Sequence, residues 1–430
     1  MLRVWVNRKP VGRLARLGQS GSSFTYDEGV DSRDAISLTQ PVRPHSWNTD
    51  HHLAPIFDMN LPEGALREQL RLRFAKSLRS FDDFGLLQLV GSSQIGRLRY
   101  TPIDRDLDDE VPFQSVQDIL RARREGDLFE YLIRKFATYS GVAGVQPKVM
   151  FRGDDEARQS QSVKSATHIV KFWEKDEYPE LAANEYFCLR AAKELGLVVP
   201  DFSLSDDGSA LVVQRFDMLD GVPQGFEDMA VLNAKSSAQK YEGGYETALF
   251  KRVREFVSPD AAMASMESLF RLFVLNCAVR NGDAHLKNFG VIYSDAESPV
   301  QLAPVFDVVT TKAYLPVDMM ALSLDGTKRW PIPKKLLGLG QMRAFLSRPK
   351  VLEIFEQTAD VLSDTAHLAR EYFRDCPHPE VGNAMMDAWQ EGVRDTLGLT
   401  HDYQHGHVLI EDEAPSVAGR SSPPPAELSP

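Results

Sequence analysis

Two carboxylates and one amide follow each other at short spacing in the second half of the chain. Asp283 and Asn288 stand five residues apart, directly after a long apolar stretch. Asp307 follows nineteen residues later, at the end of a second apolar run. Phosphoryl transfer uses side chains of these types: one carboxylate orients or deprotonates the attacking hydroxyl, while an amide oxygen and a second carboxylate hold Mg²⁺ against nucleotide phosphates. The spacing therefore predicts a phosphoryl-transfer site.

Each of these residues alone has an ordinary explanation. An Asp in Asn-Gly-Asp usually forms a turn, and an isolated Phe-Asp pair carries little information. Together, however, they stand in the order in which protein kinases use their base and metal ligands, and each follows an apolar element. This combination favours the catalytic interpretation, with Asp283 as the base and Asn288 and Asp307 as Mg²⁺ ligands.

A lysine and a glutamate upstream fit the same chemistry. Lys171 lies in the apolar run His-Ile-Val-Lys-Phe, and a lysine on such a strand can pair with the α- and β-phosphates of a nucleotide. Glu185 comes 14 residues later on a predicted helix and can hold Lys171 in place. Taken alone, a strand lysine is usually a surface residue, so this pairing supports the prediction without deciding it.

Two further segments have features of nucleotide-binding segments. Residues 140–148 contain two glycines, which let a backbone approach phosphates closely, and end in Lys148. They lack the Gly-Lys-Ser/Thr of a Walker A loop, and an ordinary glycine turn is the simpler explanation when they are taken alone. Residues 212–216 stand where a strand would pass from one lobe to the next, so their backbone can bind an adenine ring. An ordinary core strand is again the simpler alternative.

The charge balance argues against a broad DNA-binding surface on this chain. Its 430 residues carry a net charge of −12, with a pI of about 5.4, whereas phosphate neutralisation needs clustered lysine and arginine. If DNA is involved, we expect a partner to contact it. The three cysteines fit neither a zinc motif nor a disulfide framework. No signal peptide or membrane-spanning run is recognisable, so we expect a soluble, cytoplasmic protein.

Hydrophobic periodicity divides the chain into four parts, of which residues 1–110 are the first. Leu2, Val4 and Val6 alternate with polar residues, which predicts a β-hairpin with a turn at Gly12. A helix is expected at 62–77. Further strand character is expected at 22–27, 35–38 and 86–102.

The remaining parts are residues 111–220, 221–410 and 411–430. The first of these is predicted to be a small mixed lobe, the second a mainly helical lobe, and the third a disordered tail rich in Pro, Ser and Glu. Helices are expected at 115–136, 181–195 and 261–280, a strand at 168–173, and paired strands within 202–216. The fold class predicted from these elements is α+β.

In order and spacing, these segments resemble the HipA kinase family. The resemblance rests on the runs AGVQPK, HIVKF, NEYFCLRAAKELGLVVPDF, VQRFD, NGDAHLKNFGV and LAPVFDVV, and on FDMNLPEG followed by a charged helix near the N-terminus. It extends over roughly residues 1–400. It implies a two-lobed, protein-kinase-like fold related to the phosphatidylinositol kinases, with a β-rich N-terminal subdomain and a mainly helical C-terminal lobe. It also implies a serine/threonine protein kinase that uses ATP and Mg²⁺.

The resemblance assigns roles to individual residues as well. It implies that Asp283 is the base and that Asn288 and Asp307 bind Mg²⁺. For ATP it implies Lys171, with Gln214 and Phe216 flanking the hinge. The other candidate cofactor-binding residues are Ala143, Gly144, Lys148 and His285. Packing or hydrogen bonding of the catalytic loop is the simpler explanation of His285.

Partners and regulation are implied in the same way. Family members are toxins whose antitoxin is a small helix-turn-helix DNA-binding protein of the HipB type, and some phosphorylate aminoacyl-tRNA synthetases. A protein substrate, DNA contact only through the antitoxin, and no membrane are therefore expected. Members often carry an autophosphorylated serine in the glycine segment, at a position that is Gly141 here, so Ser140 is the nearest candidate. Asp307 is followed by Val308, so an activation segment of the eukaryotic type is not expected.

Two alternatives stay open. The protein can be a catalytically silent docking module that strengthens operator binding by an antitoxin, although the intact set of Lys171, Asp283, Asn288 and Asp307 argues against this. It can also be a small-molecule phosphotransferase, because aminoglycoside-type kinases use a similar loop. The N-terminal unit and the AGVQPK run argue against that second alternative.

Overall fold

A computed structural model gives the structure of the chain. It describes residues 1–401, except 19, 77, 79, 123–127, 155–163 and 174–177, together with residues 408–410. The tail predicted at 411–430 lies outside the described residues.

The chain begins with a five-stranded antiparallel sheet in the order β4-β3-β2-β1-β5. Its strands are β1 (Leu2–Val6), β2 (Lys9–Leu17), β3 (Gly21–Tyr26), β4 (Trp47–Thr49) and β5 (Leu98–Pro102). The helices of this part are α1 (Pro55–Asp58), α2 (Gly64–Phe74) and α3 (Asp83–Val90). Leu2, Val4 and Val6 all face the core, as their period of two predicts.

Three sequence predictions in this part are wrong. The first hairpin turns at Asn7, which adopts the left-handed conformation (φ 49°), and not at Gly12. Gly12 lies inside β2, where a Cβ would come within 2.4 Å of the Thr25 carbonyl oxygen. Residues 86–90 of the segment 86–102 are helical, and Asp82 caps this helix, α3, by accepting a hydrogen bond from the Gly85 amide at 2.8 Å. Residues 35–38 form a turn rather than a strand.

A four-stranded antiparallel sheet follows, in the order β6-β7-β9-β8. Its elements, with the helices around it, are α4 (Val116–Arg121), α5 (Leu128–Phe136), β6 (Lys148–Phe151), β7 (His168–Phe172), α6 (Leu181–Glu194), β8 (Phe202–Leu204) and β9 (Ala210–Gln214). Ala210 and Val212 pack into the core shared with the N-terminal sheet, whereas Leu211 and Val213 pack into the core of the helical part. Alternation along one strand thus joins two cores through this sheet.

The remaining elements are mainly helical. They are β10 (Met218–Leu219), β11 (Val222–Pro223), β12 (Gly225–Asp228), α7 (Met229–Leu232), α8 (Lys251–Phe256), α9 (Pro259–Ala278), β13 (Gly290–Tyr293), β14 (Gln301–Leu302), α10 (Pro333–Met342), α11 (Arg348–Arg374), α12 (Pro379–Gly392), β15 (Leu399–His401) and β16 (Val408–Ile410). Strands β12, β13 and β14 form a third sheet.

Helix α9 is the central helix of the C-terminal core. It is long and apolar enough to cross a membrane on length and composition alone, which the sequence prediction did not anticipate. Its apolar side chains, such as Leu269, Phe270 and Phe273, are instead buried against the rest of the chain. Cys188 and Cys277 are buried free thiols.

A buried ion pair joins the end of β9 to the N-terminal part. The guanidinium of Arg215 donates to both carboxylate oxygens of Asp217, at 3.0 and 2.6 Å, and both side chains are almost fully buried. Arg215 also donates to the Gln94 carbonyl oxygen at 2.9 Å, while the Gly96 amide donates to Asp217 at 2.6 Å. The two charges compensate each other, and the N-terminal segment satisfies further hydrogen bonds of both side chains.

We predict that Asp217→Ala lowers the free energy of unfolding by about 3–5 kcal/mol, because it leaves a buried guanidinium without its counterion. Urea denaturation measures this loss. The matched control is Glu130→Ala, which breaks an exposed pair with Arg134 and should change stability by less than about 0.5 kcal/mol. Similar losses in the two variants would contradict a structural role for the buried pair.

Candidate active site

A cleft of about 790 Å³ opens beside the central sheet. It is bordered by the glycine-containing segment 140–148 (the glycine segment), the end of β9 and the loops that follow α9 and β14. The predicted site residues that line it are Ala143, Gly144, Lys148, Lys171, Gln214, Phe216, Asp283, His285, Asn288 and Asp307. The fold thus brings together, in one cleft, residues that are spread over more than 160 positions of the sequence. Ser140 is not among them.

Lys171 is the charge at the centre of this cleft. On β7 its side chain points away from the core that Val170 and Phe172 fill, as alternation requires. Its ammonium donates to Glu185 Oε1 at 2.5 Å and to the Asp307 carboxylate. Although burial opposes the charge, the two carboxylates raise the pKa of Lys171 well above its usual value. Lys171 is therefore a permanent buried cation, and the predicted pairing with Glu185 is present.

The loop after α9 orients Asp283 and Asn288. Asn281 is buried, donates to Asn276 Oδ1 at 2.6 Å, and accepts from the Asp283 amide at 3.1 Å. The side-chain nitrogen of Asn288, Nδ2, donates to the backbone carbonyl oxygen of Asp283 at 2.9 Å. Because the nitrogen of Asn288 is engaged in this bond, its side-chain oxygen is the atom that remains for a metal ion. The Asn-Gly pair thus supplies both the turn and the internal support of the loop.

The sequence suggested that Asp307 lies at the end of a strand. In the structure it lies five residues beyond the short strand β14. Its backbone adopts the left-handed conformation, with φ 53°, which is unusual for a residue other than glycine and is often found at functional sites. Although burial opposes the charge, the ammonium groups of Lys171 and Lys148 hold the pKa of Asp307 far below its usual range. The carboxylate is therefore ionised and able to bind a cation.

The donor set fits Mg²⁺ better than a transition metal. Asn288 and Asp307 offer an amide and a carboxylate oxygen, which are the hard ligands that Mg²⁺ prefers. Within the described part of the chain, no group of three or more His, Cys, Asp or Glu side chains is arranged to hold a metal ion by itself. Mg²⁺ usually takes only one or two protein carboxylates, together with water and substrate phosphates. A metal bound here would thus depend on a phosphate ligand.

Lys148 is a second buried cation, directly opposite Lys171 on the paired strands β6 and β7. Its side chain makes no ion pair with any residue that the structure describes, and burial lowers its pKa. The ammonium lies over Gly144 (φ 113°), where a Cβ would come within 2.4 Å of it. Asp307 favours the charge of Lys148 without forming an ion pair with it, and a buried cation in this situation is costly, so the position fits an anionic ligand such as a phosphate.

The opposite end of the cleft is apolar. Phe216 and Phe306 lie nearly parallel with ring centroids 5.3 Å apart, and Phe226 meets them edge-on. Ile169 and Val213 also line this end. The flat walls fit a planar ring such as a purine, and Gln214, at the end of β9, also lines the cleft.

Ser140 and His285 differ from the other predicted residues. The Ser140 hydroxyl is buried, donates to the Phe136 carbonyl oxygen at 2.8 Å and accepts from the Met150 amide at 2.8 Å. Its phosphorylation would require the glycine segment to leave this position.

Burial lowers the pKa of His285 to about 4, so the imidazole is neutral at pH 7. Its ring packs edge-on against Tyr241 at 5.0 Å, which agrees with the structural explanation of this histidine.

Several cleft residues were given no role from the sequence. Glu63 of the N-terminal part pairs with Lys240 at 2.8 Å and with Lys287 of the catalytic loop at 3.3 Å. These partners are 177 and 224 positions away, so no spacing rule could reveal them. Tyr241 and Asp318 lie at the mouth of the cleft. The runs FDMNLPEG and NGDAHLK contain Glu63 and Lys287, but only as unexplained members of a motif.

Comparisons with known protein families match most of the chain. Residues 2–101 match the model of the HipA N-terminal domain, and residues 140–366 match the model of the HipA-like C-terminal domain. Among similar proteins, Y4dM of Sinorhizobium fredii, named as a kinase, is 25% identical over 395 residues, which are 84% of this chain and 90% of Y4dM. The serine/threonine-protein kinase toxin HipA of Shewanella oneidensis is 25% identical over 265 residues, covering 56% of this chain and 60% of the toxin.

The fold also matches a solved structure. The complex of HipA, HipB and operator DNA from Shewanella oneidensis contains a chain that superposes with a TM-score of 0.65 at 20% identity. The match covers 93% of this chain and 98% of the other. The architecture described above is therefore the predicted two-lobed, kinase-like α+β fold.

The two opposed lysines give a matched test of the ion cluster. Lys171→Met should lower the free energy of unfolding by about 3–5 kcal/mol at pH 7.5, because it leaves the buried carboxylate of Glu185 without its cation and removes an ion pair from the partly exposed Asp307. The loss should be smaller at pH 5. Burial raises the pKa of Glu185, and removing the ammonium raises that folded-state pKa further, so the destabilisation is absent below the unfolded pKa, grows as the pH rises above it and is complete once the pH has passed the folded pKa.

Lys148→Met is the control at the facing position. Its ammonium is buried without an ion pair, so removing the charge should cost less than about 1 kcal/mol or stabilise the fold. Urea denaturation of both variants at pH 5 and pH 7.5 measures the difference. Equal losses that do not depend on pH would contradict the role given to Lys171.

Proposed function

The chain belongs to the HipA family of serine/threonine kinase toxins, and from that premise we propose that it is itself an active, ATP- and Mg²⁺-dependent protein kinase. The reaction that we propose is transfer of the γ-phosphoryl group of ATP to a serine or threonine of a cellular protein. Asp283 is the base, Asn288 and Asp307 are the Mg²⁺ ligands, and Lys171 contacts the nucleotide phosphates.

One observation carries this proposal more than any other. Lys171 is held between Glu185 and Asp307 in the same cleft as Asp283 and Asn288. A chain that only docked onto a partner would have no need to bury this cation between two carboxylates, because such a cluster is expensive to desolvate. The arrangement is useful if a nucleotide and a metal ion complete it.

The nucleotide side of the cleft supports ATP as the ligand. The apolar end with Phe216 and Phe306 accepts the adenine ring, with Gln214 at the hinge. The backbone of Ala143 and Gly144 and the ammonium of Lys148 lie where the phosphates follow. Mg²⁺ bound by Asn288 and Asp307 would neutralise charge on the phosphates. The protein's own contribution is then to position the phosphates and to exclude water from them.

The acceptor side supports a hydroxyl on a protein. The Asp283 side chain is about half exposed at the mouth of the cleft, so it can reach the hydroxyl of another molecule. As base, it accepts the proton of that hydroxyl while the hydroxyl oxygen attacks the γ-phosphorus. Large apolar side chains beside the mouth, including Leu315, Val317 and Met319, are exposed, which suits a protein surface better than a sugar.

For the biological setting we propose a toxin under the control of a HipB-like helix-turn-helix antitoxin, in the cytoplasm. The similar solved structure is a complex of HipA with HipB and operator DNA. A net charge of −12 agrees with DNA contact made by such a partner rather than by this chain. Some HipA-type kinases modify aminoacyl-tRNA synthetases, so such an enzyme is one candidate substrate. Autophosphorylation at Ser140 remains a separate prediction, because that hydroxyl is buried in the present conformation.

We predict that Asp283→Asn and Asp307→Asn separate catalysis from binding. Asp283→Asn should lower the turnover number by at least about 100-fold, while the Kd for Mg·ATP changes by less than about threefold, because the base acts on the acceptor hydroxyl. Asp307→Asn should weaken Mg·ATP binding about tenfold or more, because one ligand charge is lost. Calorimetry and a phosphoryl-transfer assay measure the two effects.

The matched control is Asp220→Asn, which makes the same chemical change at an exposed turn outside the cleft. It should behave as the wild type in both assays. The role assignment would be wrong if Asp283→Asn and Asp307→Asn weakened nucleotide binding equally while turnover followed binding.

The function itself is tested by incubating the purified protein with labelled ATP, Mg²⁺ and cell extract. A labelled protein band that disappears with Asp283→Asn supports a protein kinase, and the mass of the band identifies the substrate. Label on a small molecule instead would favour a phosphotransferase of the aminoglycoside-kinase type. Tight Mg·ATP binding without label on any acceptor would favour the docking module.

A further inference from the structure

Tyr241 contacts the proposed base directly. Its phenol hydroxyl donates a hydrogen bond to Asp283 Oδ1 at 2.6 Å. This is the bond that the hydroxyl of a serine or threonine acceptor has to make with a general base before it attacks. Partial burial and the neighbouring carboxylates, Asp283 first among them, raise the pKa of Tyr241 well above its usual value. The phenol therefore keeps its proton and donates to Asp283 throughout the neutral pH range.

The position of Tyr241 is set by its neighbours. The Leu286 amide of the catalytic loop donates to the Lys240 carbonyl oxygen at 3.1 Å, and the Lys240 ammonium pairs with Glu63 of the N-terminal part at 2.8 Å. The ring of Tyr241 packs edge-on against His285. Backbone, charge and ring contacts thus hold the phenol against Asp283, while 43% of the residue remains exposed to solvent. It can leave without disturbing the core.

The surroundings of the phenol match an acceptor subsite. Asp318 lies over Gly282, the residue before the base, where a Cβ would come within 2.1 Å of Asp318 Oδ2. Thr311 links the two by donating to Asp318 and accepting from the Gly282 amide at 2.6 Å. Asp318 and Asp283 make no ion pair with any Lys or Arg that the structure describes. The Tyr241 phenol thus has the carboxylates of Asp283 and Asp318 near it, while the neighbouring Lys240 ammonium lies over its ring and pairs with Glu63.

We propose that Tyr241 is a stand-in for the acceptor: its phenol fills the hydroxyl subsite at Asp283 and keeps water out until a protein serine or threonine displaces it. The inference deepens the proposed function and rests on it. Tyr241 acts through Asp283 and is therefore a positioning residue, not a catalytic one. The contact between Tyr241 and Asp283 would protect the bound nucleotide, because a nucleotide beside an uncovered base is exposed to hydrolysis. In hydrolysis the bond from the γ-phosphorus to the bridging oxygen breaks, a bond to the water oxygen forms, and the water proton leaves through Asp283, giving ADP and phosphate.

The test is Tyr241→Phe, which removes only the hydroxyl and leaves the ring packing in place. ATP hydrolysis without a protein acceptor should rise about tenfold, because water takes the vacated place at the base; loss of one hydrogen bond to a charged group corresponds to a factor of this size. The KM for the extract protein that is labelled should fall, while the Kd for Mg·ATP stays unchanged. The double variant Tyr241→Phe/Asp283→Asn should lose the extra hydrolysis, which shows that the effect passes through the base.

Tyr245→Phe is the matched control on the same segment. Its hydroxyl donates to the Ala284 carbonyl oxygen at 2.9 Å and does not contact Asp283, so its loss should not raise hydrolysis. Equal increases in both single variants would overturn the inference, because they would indicate a loosened loop. A fall in hydrolysis with Tyr241→Phe, or phosphotyrosine at position 241 after incubation with ATP, would overturn it as well.

The outcome is separable from that of the proposed function. If the wild type binds no nucleotide and labels no acceptor, the proposed kinase activity fails. If the wild type labels an acceptor but Tyr241→Phe leaves the hydrolysis rate and the acceptor KM unchanged, only the inference about Tyr241 fails.

Discussion

The active cleft depends on one buried cation, the ammonium of Lys171. It contacts Glu185 on α6 and Asp307 on the chain beyond β14, so one side chain fixes a helix and a loop relative to β7. The charges restrict this placement, because Glu185 without the cation would be a buried and uncompensated carboxylate, whereas Asp307 is partly exposed to solvent. Chain elements that are far apart in sequence must therefore fold before the cluster is stable. The positions of the side chains in such a site are set by electrostatic interactions rather than by apolar packing.

The central sheet explains why this cluster can exist inside an otherwise apolar molecule. Alternate residues of one strand face opposite sides, so Val170 and Phe172 complete a core while Lys171 between them faces the cleft. The N-terminal part contributes residues both to the core on one face of the central sheet and to the cleft on the other face. It closes the core beneath the sheet, and its Glu63 pairs with Lys287 of the catalytic loop. The N-terminal part is thus a structural component of the cleft as well as a neighbour of it.

The sequence predicted which side chains share one cleft better than it predicted the details of the fold. Lys171, Asp283 and Asp307 could be selected because each follows an apolar element and their order has a chemical meaning. The turn at Gly12 was predicted wrongly, because local composition does not distinguish a glycine needed for close contact with a neighbouring strand from one that turns the chain. The strand at 86–90 was predicted wrongly, because a short buried helix and a buried strand have similar composition. The contacts of Glu63 and Tyr241 could not be predicted, since they depend on tertiary structure alone.

The charges of the cleft also indicate which ligand would complete it. Lys171 forms ion pairs with two carboxylates, whereas Lys148, directly opposite on the paired strand, forms no ion pair with any residue that the structure describes. Two cations and two anions are present, yet they are unevenly paired. A ligand that carried only phosphate would satisfy Lys148 but would stand against Asp307. A phosphate accompanied by a divalent cation would resolve both problems, because Asp307 could hold the metal while the two lysines held the phosphate oxygens. The uneven pairing of these charges therefore agrees with the proposed metal–nucleotide ligand.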